Sequence, residues 1–427
     1  MTEHTIRDDA GHSLHDFPVQ TTTDDYAPAC RKIIETILQD YDGPFRIRFW
    51  DGSEIRSSPG QDSAFALVIR YPAALRAMFR KPVELSLAEA YFSDAIDIEG
   101  DLAAAFPLAE YLSTLTIGWL DRLRLASRLR SLPDVQAHNS HPAPLHGQVG
   151  SAQRTRDAIR FHYDQPTEFW RLWLDPAMVY SGAWFEDWNR TLEAAQQAKL
   201  HKICTKLGLE PGQRLLDMGC GWGGLIIHAA QHRGVHALGI TLSEKQADFA
   251  RQRISELGLE TRCRVEVRDL RSFNDGTSYD GVASVGAVEH VREEDLPIYF
   301  RTALGALRPG GRFLSQGITR PLTRTGEPLS PFMQRYVFPD SNLIPLHRML
   351  AIAEQQGFET RHVEAMTEHY AHTTRLWYER LGKRRDEAIE IVGRAAYRTF
   401  RLMLLGSSYN FTTGAMGLYQ VLLAKRS

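Results

Sequence analysis

Four cysteines, at positions 30, 204, 220 and 263 of 427 residues, are too few and too scattered for a disulfide framework, and none carries the short spacing of a zinc site. A reducing compartment and a site without metal are therefore expected. No run of about 18 uncharged apolar residues occurs, and the opening MTEHTIRDDAGHSLHDF is acidic with no apolar centre. The expectation is a cytoplasmic protein with neither a secretory leader nor a membrane-spanning helix. Charge of one sign is lacking too: 50 Lys+Arg against 52 Asp+Glu leave a formal net charge of -2, so no overall field favours nucleic acid. No internal repeat is found. With 43% hydrophobic and 24% charged residues the chain has soluble globular composition, and its length suits roughly two or three domains.

What the chain does carry is a pattern that changes along its length. Residues 1–25 are polar and read as a flexible N-terminus. Residues 26–130 read as a small α+β domain. Ile33, Ile34, Ile37 and Leu38 recur at helical spacing, Phe45 to Trp50 alternates, and Asp51-Gly52 marks a turn. Ala64 to Ile69 reads as a further strand, with helices near 72–80 and 85–93. The segment 131–153, SLPDVQAHNSHPAPLHGQVGSAQ, loses its apolar period and reads as a linker, with His138, His141 and His146 solvated in it. Residues 154–427 read as a larger second domain. Aromatic-rich helical segments at 154–200 precede alternating strands and helices at 214–218, 223–233, 235–240, 243–257, 263–268, 280–285, 294–307 and 312–318. That order predicts a doubly wound α/β sheet, with Pro309-Gly310-Gly311 as the turn into its late strand.

The densest signal is Leu215-Leu216-Asp217-Met218-Gly219-Cys220-Gly221-Trp222-Gly223-Gly224, a buried strand running into a glycine turn. Gly219, Gly221 and Gly223 let backbone approach a ligand closely, and Leu225-Ile226-Ile227 can open a packed helix behind them. The spacing Gly219, Gly221, Gly224 also satisfies the dinucleotide pattern, so the glycines alone do not separate a nicotinamide from S-adenosylmethionine (SAM). Asp217 favours SAM: an acid just before the turn suits an ammonium and would repel a pyrophosphate.

Residues from about 154 onward resemble the cyclopropane-fatty-acyl-phospholipid synthase family, which includes the mycolic acid cyclopropane synthases. The resemblance lies in Phe161-His162-Tyr163-Asp164, Trp173-Leu174-Asp175-Pro176, Met178-Val179-Tyr180-Ser181, LLDMGCGWGGL and Gly239-Ile240-Thr241-Leu242-Ser243 with Gln246. It continues in SVGAVEHV, Phe338-Pro339-Asp340, His369-Tyr370-Ala371 and Leu376-Trp377-Tyr378-Glu379-Arg380. It implies a class I SAM-dependent methyltransferase, with a Rossmann-like, doubly wound seven-stranded sheet and a helical lid. It also implies SAM contacts from Tyr180, Ser181, the Gly219 turn, Thr241, Leu242, Gln246, Asp269 and Leu270. The second strand ends in Gly239-Ile240-Thr241 with no carboxylate, so Gln246 or its neighbours are expected at the ribose.

The implied reaction is methyl transfer to a carbon of a cis double bond in an unsaturated phospholipid acyl chain, followed by loss of a proton to close a cyclopropane. In the resembling enzymes a bound bicarbonate takes that proton. Glu289 and Tyr370 match two of its holders and Ile318 a backbone contact. Two positions depart: Gly182 stands where the family usually has cysteine, and Gln316 where it has histidine. An amide cannot supply a histidine's positive charge, which leaves open a methylene- or methyl-branched product finished by a separate reductase, with Glu289 as the base. Tyr163, Phe169, Trp170, Trp184, Phe185, Tyr336, Phe338, Tyr370 and Trp377 are the aromatic stock for steadying a cation. A phospholipid substrate implies reversible contact with the inner face of a membrane. The basic amphipathic stretch from Trp119 to Arg130, and a second one at Lys383-Arg384-Arg385 with Arg394, Arg398 and Arg401, are the candidates. A homodimer, a small-molecule methyltransferase on the same fold, and a SAM-binding protein without turnover all remain open at this level.

Overall fold

The computed structural model describes residues 26–57, 62–115, 118–134, 145–148, 150–324 and 330–427. The proposed N-terminal tail, and residues 135–144 and 149 of the proposed linker, with His138 and His141 among them, lie outside them.

In the N-terminal domain, helix Ala27–Leu38 buries Cys30, Ile33, Ile34 and Ile37, the face its spacing predicts. It packs on a small sheet of β1 (Arg46–Arg48), β2 (Glu54–Arg56), β3 (Phe65–Ile69) and β4 (Ile96–Gly100), in the order β2-β1-β3-β4. Helices Pro72–Met78, Val83–Phe92 and Phe106–Thr114 complete it. Helix Trp119–Arg130 returns against the first helix, with Leu125 and Leu129 on the domain core.

The catalytic domain begins with helix Ala152–Tyr163, so the last residues of the expected linker are already helical; the Ser151 side chain caps this helix through the Arg154 N–H at 3.3 Å. Of the expected helical stretch 154–200, residues 172–191 form loops and turns between helices Thr167–Arg171 and Leu192–Leu207. Then come β5 (Arg214–Met218), β6 (His236–Thr241), β7 (Cys263–Val267), β8 (Tyr279–Val285), β9 (Leu307–Thr319), β10 (Phe358–Ala365) and β11 (Gly417–Lys425). They form a seven-stranded sheet in the order β10-β11-β9-β8-β5-β6-β7, with β11 antiparallel to both its neighbours. Pro309-Gly310-Gly311 forms a bulge inside β9: Tyr279 pairs with Leu307 and Gly281 with Arg312.

Alternation along each strand feeds two cores. Leu215, Ala237 and Val265 pack on helices Leu192–Leu207, Gly224–Arg233 and Glu244–Glu256. Leu216, Leu238 and Val282 pack on helices Leu296–Ala306 and Leu346–Gln355. The strand order reverses between β8 and β5, where an open α/β sheet places its ligand crevice. Above that crevice, helices Thr367–Lys383 and Arg385–Thr412 form the helical cover and reach across to the N-terminal domain.

Candidate functional site

The turn after β5 is tied to β6 by the N–H groups of Gly219 and Cys220, both donating to the Ile240 carbonyl, at 3.0 and 2.9 Å. Gly219 has φ 99°, and a Cβ there would lie 2.7 Å from the Ala287 Cβ, so only glycine fits between this turn and the loop after β8. The turn floors a cavity of about 130 Å³. Tyr180, Ser181, Asp217, Gly219 and Gly221 line one side; Thr241, Leu242, Gln246, Asp269 and Leu270 line the other. Gly223 is a correction: it caps the following helix with φ 85°, faces Ala250 and stands outside the cavity wall.

Asp217 is buried, its Oδ1 has no hydrogen-bond partner among the described residues, and burial pushes its carboxyl up to about 7 against the pull of Lys199. Lys199, also buried, donates to Ser181 Oγ at 2.8 Å, and burial lowers its ammonium to about 8 against the pull of Asp175 and Asp217. A buried acid with an idle oxygen beside a buried base fits the ammonium and carboxylate of an α-amino acid. Thr241 Oγ1 donates to Gln246 Oε1 at 2.8 Å, so the Gln246 amide offers its nitrogen to a further partner such as a ribose hydroxyl. Asp269 is committed to Arg271, at 2.7 Å, and borders the cavity without a free carboxylate.

A second, largely apolar cavity of about 1050 Å³ lies beside the first. Tyr163, Tyr180, Gly286 and His290 line both, so the two spaces meet there. Glu289 stands at this junction, in the short turn after β8. Its Oε1 accepts from the Ile318 N–H at 2.8 Å, and its buried Oε2 has no partner among the described residues. Burial raises its carboxyl to about 7, opposed only by backbone N–H groups. The nearby Arg292 pairs with Glu294 and Asp295 rather than with Glu289. Tyr370 and Ile318 also line the large cavity. His290 shares a hydrogen bond of 3.2 Å with Tyr163 and is lowered by burial to about 4, so it is neutral at ordinary pH. Of the aromatic stock, Tyr163, Phe338, Tyr370 and Trp377 reach the large cavity. Phe169 and Trp170 are fully buried packing. Trp184 and Phe185 pack around His369, and Tyr336 packs against Phe92.

Residues 150–421 match the family described as Mycolic acid cyclopropane synthetase. The chain belongs to this family. Residues 33–110 match a domain of unknown function (DUF7884). The chain is 33% identical over 395 residues to a probable fatty acid methyltransferase of Pseudomonas putida, covering 91% of this chain and 93% of that protein. It is 34% identical over 410 residues to the probable fatty acid methyltransferase Rv3720 of Mycobacterium tuberculosis (strain ATCC 25618 / H37Rv), covering 92% and 94%. Among solved structures it resembles the cyclopropane synthase MmaA2 from Mycobacterium tuberculosis, at TM-score 0.60 and 32% identity, covering 63% of this chain and 98% of that one. It also resembles the mycolic acid cyclopropane synthase CmaA1 complexed with SAH and CTAB, at TM-score 0.60 and 31% identity, with the same coverage of 63% and 98%. As a member of this family the protein is a SAM-dependent methyltransferase with SAM as its cofactor, and the Asp217–Lys199 cavity suits the amino acid end of that molecule.

The same fit fails for bicarbonate. Gln316 lines neither cavity: its Nε2 donates to the Gly182 carbonyl at 3.4 Å and its Oε1 accepts from Gln420 at 2.8 Å. Lys206 in turn donates to Gln420 Oε1 at 2.6 Å. Gly182 also lies outside both cavities. A Cβ there would meet Leu418 at 2.6 Å and the Tyr370 ring at 3.2 Å, so the volume of the usual cysteine is already filled. Among the described residues no cation offsets the Glu289 charge, and a second anion beside its ionised carboxylate would be repelled. Gln316 and Gly182 are therefore structural neighbours of the site rather than parts of it.

Lys199 was not among the residues the sequence pointed to. A signal was present: Leu192, Ala195, Gln196, Lys199 and Ile203 share the buried stripe of one helix, and a lysine on such a stripe calls for a buried partner. The second basic stretch is also corrected. Arg398 is buried and paired with Asp94 and Asp97, and Arg401 lies against Tyr378 and Tyr397, so neither is free for a membrane.

Proposed function

We propose that this methyltransferase acts on the cis double bond of an unsaturated phospholipid acyl chain presented at a membrane surface, forming a cyclopropane. The observation that carries this reading is the junction itself: a long apolar cavity meets the SAM cavity at Tyr163, Tyr180, Gly286 and His290, with the buried Glu289 carboxylate beside it. SAM, when bound, would supply an electrophilic methyl group, the electron pair of the broken carbon–sulfur bond staying on its sulfur.

An alkene is a weak nucleophile, so the chain's residues must hold it in line and keep water away. Apolar walls do the first at ~0.8 kcal/mol per buried methylene. The rings of Tyr163, Phe338, Tyr370 and Trp377 face the positive charge that develops on the acyl chain, at roughly 0.5–2 kcal/mol each. The alkene π pair forms the new carbon–carbon bond and leaves a cation on the neighbouring carbon. Glu289 Oε2 then accepts a proton from the transferred methyl group, and the freed C–H pair closes the ring. The lack of a fit for bicarbonate leaves Glu289 as the base for a second product as well: if a hydride shifts before the proton leaves, the same base gives a methylene branch, which a separate reductase would saturate.

Membrane contact is supported by helix Trp119–Arg130, where Trp119 and Leu123 are 71% and 62% exposed beside basic residues. Among the described residues no helix is long and apolar enough to cross a bilayer. The test is incubation of the purified protein with SAM and liposomes of cis-monounsaturated phospholipid, with products identified by mass spectrometry and NMR. A gain of one CH₂ with ring protons supports cyclopropanation, and the same gain with vinylidene protons supports the branch. Unaltered acyl chains in the presence of bound SAM would remove the reading.

A further inference from the structure

The large cavity does not stop at the boundary of the catalytic domain. It enters the N-terminal domain between the sheet and helix Phe106–Thr114, where its wall is made by Phe65 and Leu67 of β3, Ile96 and Ile98 of β4, and Leu108 and Ala109 of the helix. Leu67 and Ile98 are direct cross-strand partners, and Phe65 and Ile96 lie on the same face of their strands, so one side of the sheet is the wall. Phe65 and Leu67 are only 1% and 4% exposed, which places this end of the cavity inside the domain core. All six residues are apolar; Glu84, Tyr91, Glu110 and Ser113 of the same domain also line the cavity. Arg320 and Arg324, on the catalytic side, line the same cavity and suit a polar headgroup.

The two domains are fixed together at this point. Arg398, from the long helix Arg385–Thr412, donates to the carbonyls of Tyr91 and Ile96 at 2.6 and 3.3 Å and pairs with Asp94 and Asp97 at 2.9 and 3.1 Å. Its guanidinium also stacks over the Tyr91 ring at 4.8 Å. The six wall residues fall outside the 150–421 family match and inside the 33–110 match, whose domain has no function assigned to it.

We infer that the N-terminal domain is a binding site for the methyl-terminal tail of the substrate's acyl chain, and that it selects substrates by the number of carbons beyond the double bond. This rests on the reading that an acyl chain is the substrate. Continuity with the junction at Glu289 supports it, since a chain whose double bond lies there must place its remainder somewhere apolar. So does the apolar surface these six residues form, which suits a methyl terminus; of the polar residues that line the cavity from the same domain, Glu84 accepts from Ser330, Glu110 accepts from Tyr409 and Ser113 donates to the Ala109 carbonyl.

The test uses the full-length enzyme and a series of phospholipid liposomes with the double bond at a fixed distance from the carboxyl and a progressively longer tail beyond it. Ile98→Trp and Ala109→Phe fill the cavity from opposite walls. Each variant is expected to lose about tenfold or more in kcat/KM on the longest tail while keeping the wild-type value on the shortest, a loss of the size set by a few misplaced methylenes. SAM binding, followed by calorimetry, is expected to stay unchanged and serves as the check on folding. A second measurement needs no variant: a phospholipid carrying a photoreactive diazirine at the acyl methyl end is expected to label peptides within residues 65–109 of the wild-type protein. Equal loss along the whole series, or label confined to the catalytic domain, would overturn the inference while leaving the acyl-chain reading intact. Absence of methyl transfer to every lipid in the series would remove both.

Discussion

Glu289 is held in a chemically uncomfortable state. One oxygen has a backbone donor, the other has nothing among the described residues, and its carboxyl is raised by burial from 4.5 to about 7. Between those two values the folded protein binds a proton that the unfolded chain does not, so stability falls as pH rises through that window. Glu289→Gln keeps an acceptor for the Ile318 N–H and removes the charge. It is expected to raise unfolding stability at pH 8 by about 3 kcal/mol, read by denaturant melts, while lowering turnover by roughly 10²–10⁴-fold. The wild-type kcat/KM should rise with pH through an apparent pKa near 7 as the carboxylate ionises; a flat profile would exclude Glu289 as the base. Turnover in buffer stripped of carbon dioxide should equal turnover with bicarbonate added, because Gln316 is spent on Gly182 and Gln420. Gln316→His should cost about 1–3 kcal/mol of stability by orphaning those partners, with no gain of ring product. Glu289 was legible in the sequence because SVGAVEHV carries it. The commitment of Gln316 was not, because its partner Gln420 comes from β11, 104 positions away.

At the level of elements, two joints position the chemistry. The glycine turn brings backbone to the cofactor, and Gly219→Ala would drive a Cβ into Ala287 at a backbone angle that alanine rarely adopts. The expected outcome is at least tenfold weaker SAM binding by calorimetry with the sheet intact by circular dichroism. The other joint is Arg398. Arg398→Met should cost about 2–4 kcal/mol by leaving the Tyr91 and Ile96 carbonyls without their donor and Asp94 and Asp97 with Arg70 alone, and should let the two domains unfold in separate steps during a thermal scan. Local pattern made the turn readable, since strand, acid and glycines are contiguous. The joint at Arg398 was read as a basic surface because its partners come from β4 and the turn before it, 301 positions away in the case of Asp97. Charge runs on a helix do not say which side faces inward. The helix of Trp119–Arg130 did form, as its periodicity predicts, and keeps Trp119 and Leu123 outward.

Across the whole molecule, β5 to β9 were legible because hydrophobic period and glycine punctuation alternate along residues 214–319, while β10 and β11 follow outside that stretch and only the family resemblance implied a sheet of seven strands. The loops at 172–191 were harder: they are rich in buried aromatic residues, and burial alone does not distinguish a helix from packed irregular backbone. What no local pattern could reveal is that the two domains enclose one continuous cavity, since its walls come from β3, β4, the turn after β8 and the last long helix. That enclosure is what the proposed reading rests on: cofactor at the sheet crevice, Glu289 as base at the junction, and an acyl chain running into the second domain. The most direct test of transfer to an acyl double bond is to follow a labelled methyl group from SAM into liposomes of cis-unsaturated phospholipid, with fully saturated phospholipid of the same headgroup as the comparison. Label retained in the acyl chains of the unsaturated lipid alone, with loss of olefinic protons, is the predicted result. Label in the headgroup, label in both lipids equally, or no label in either would contradict it.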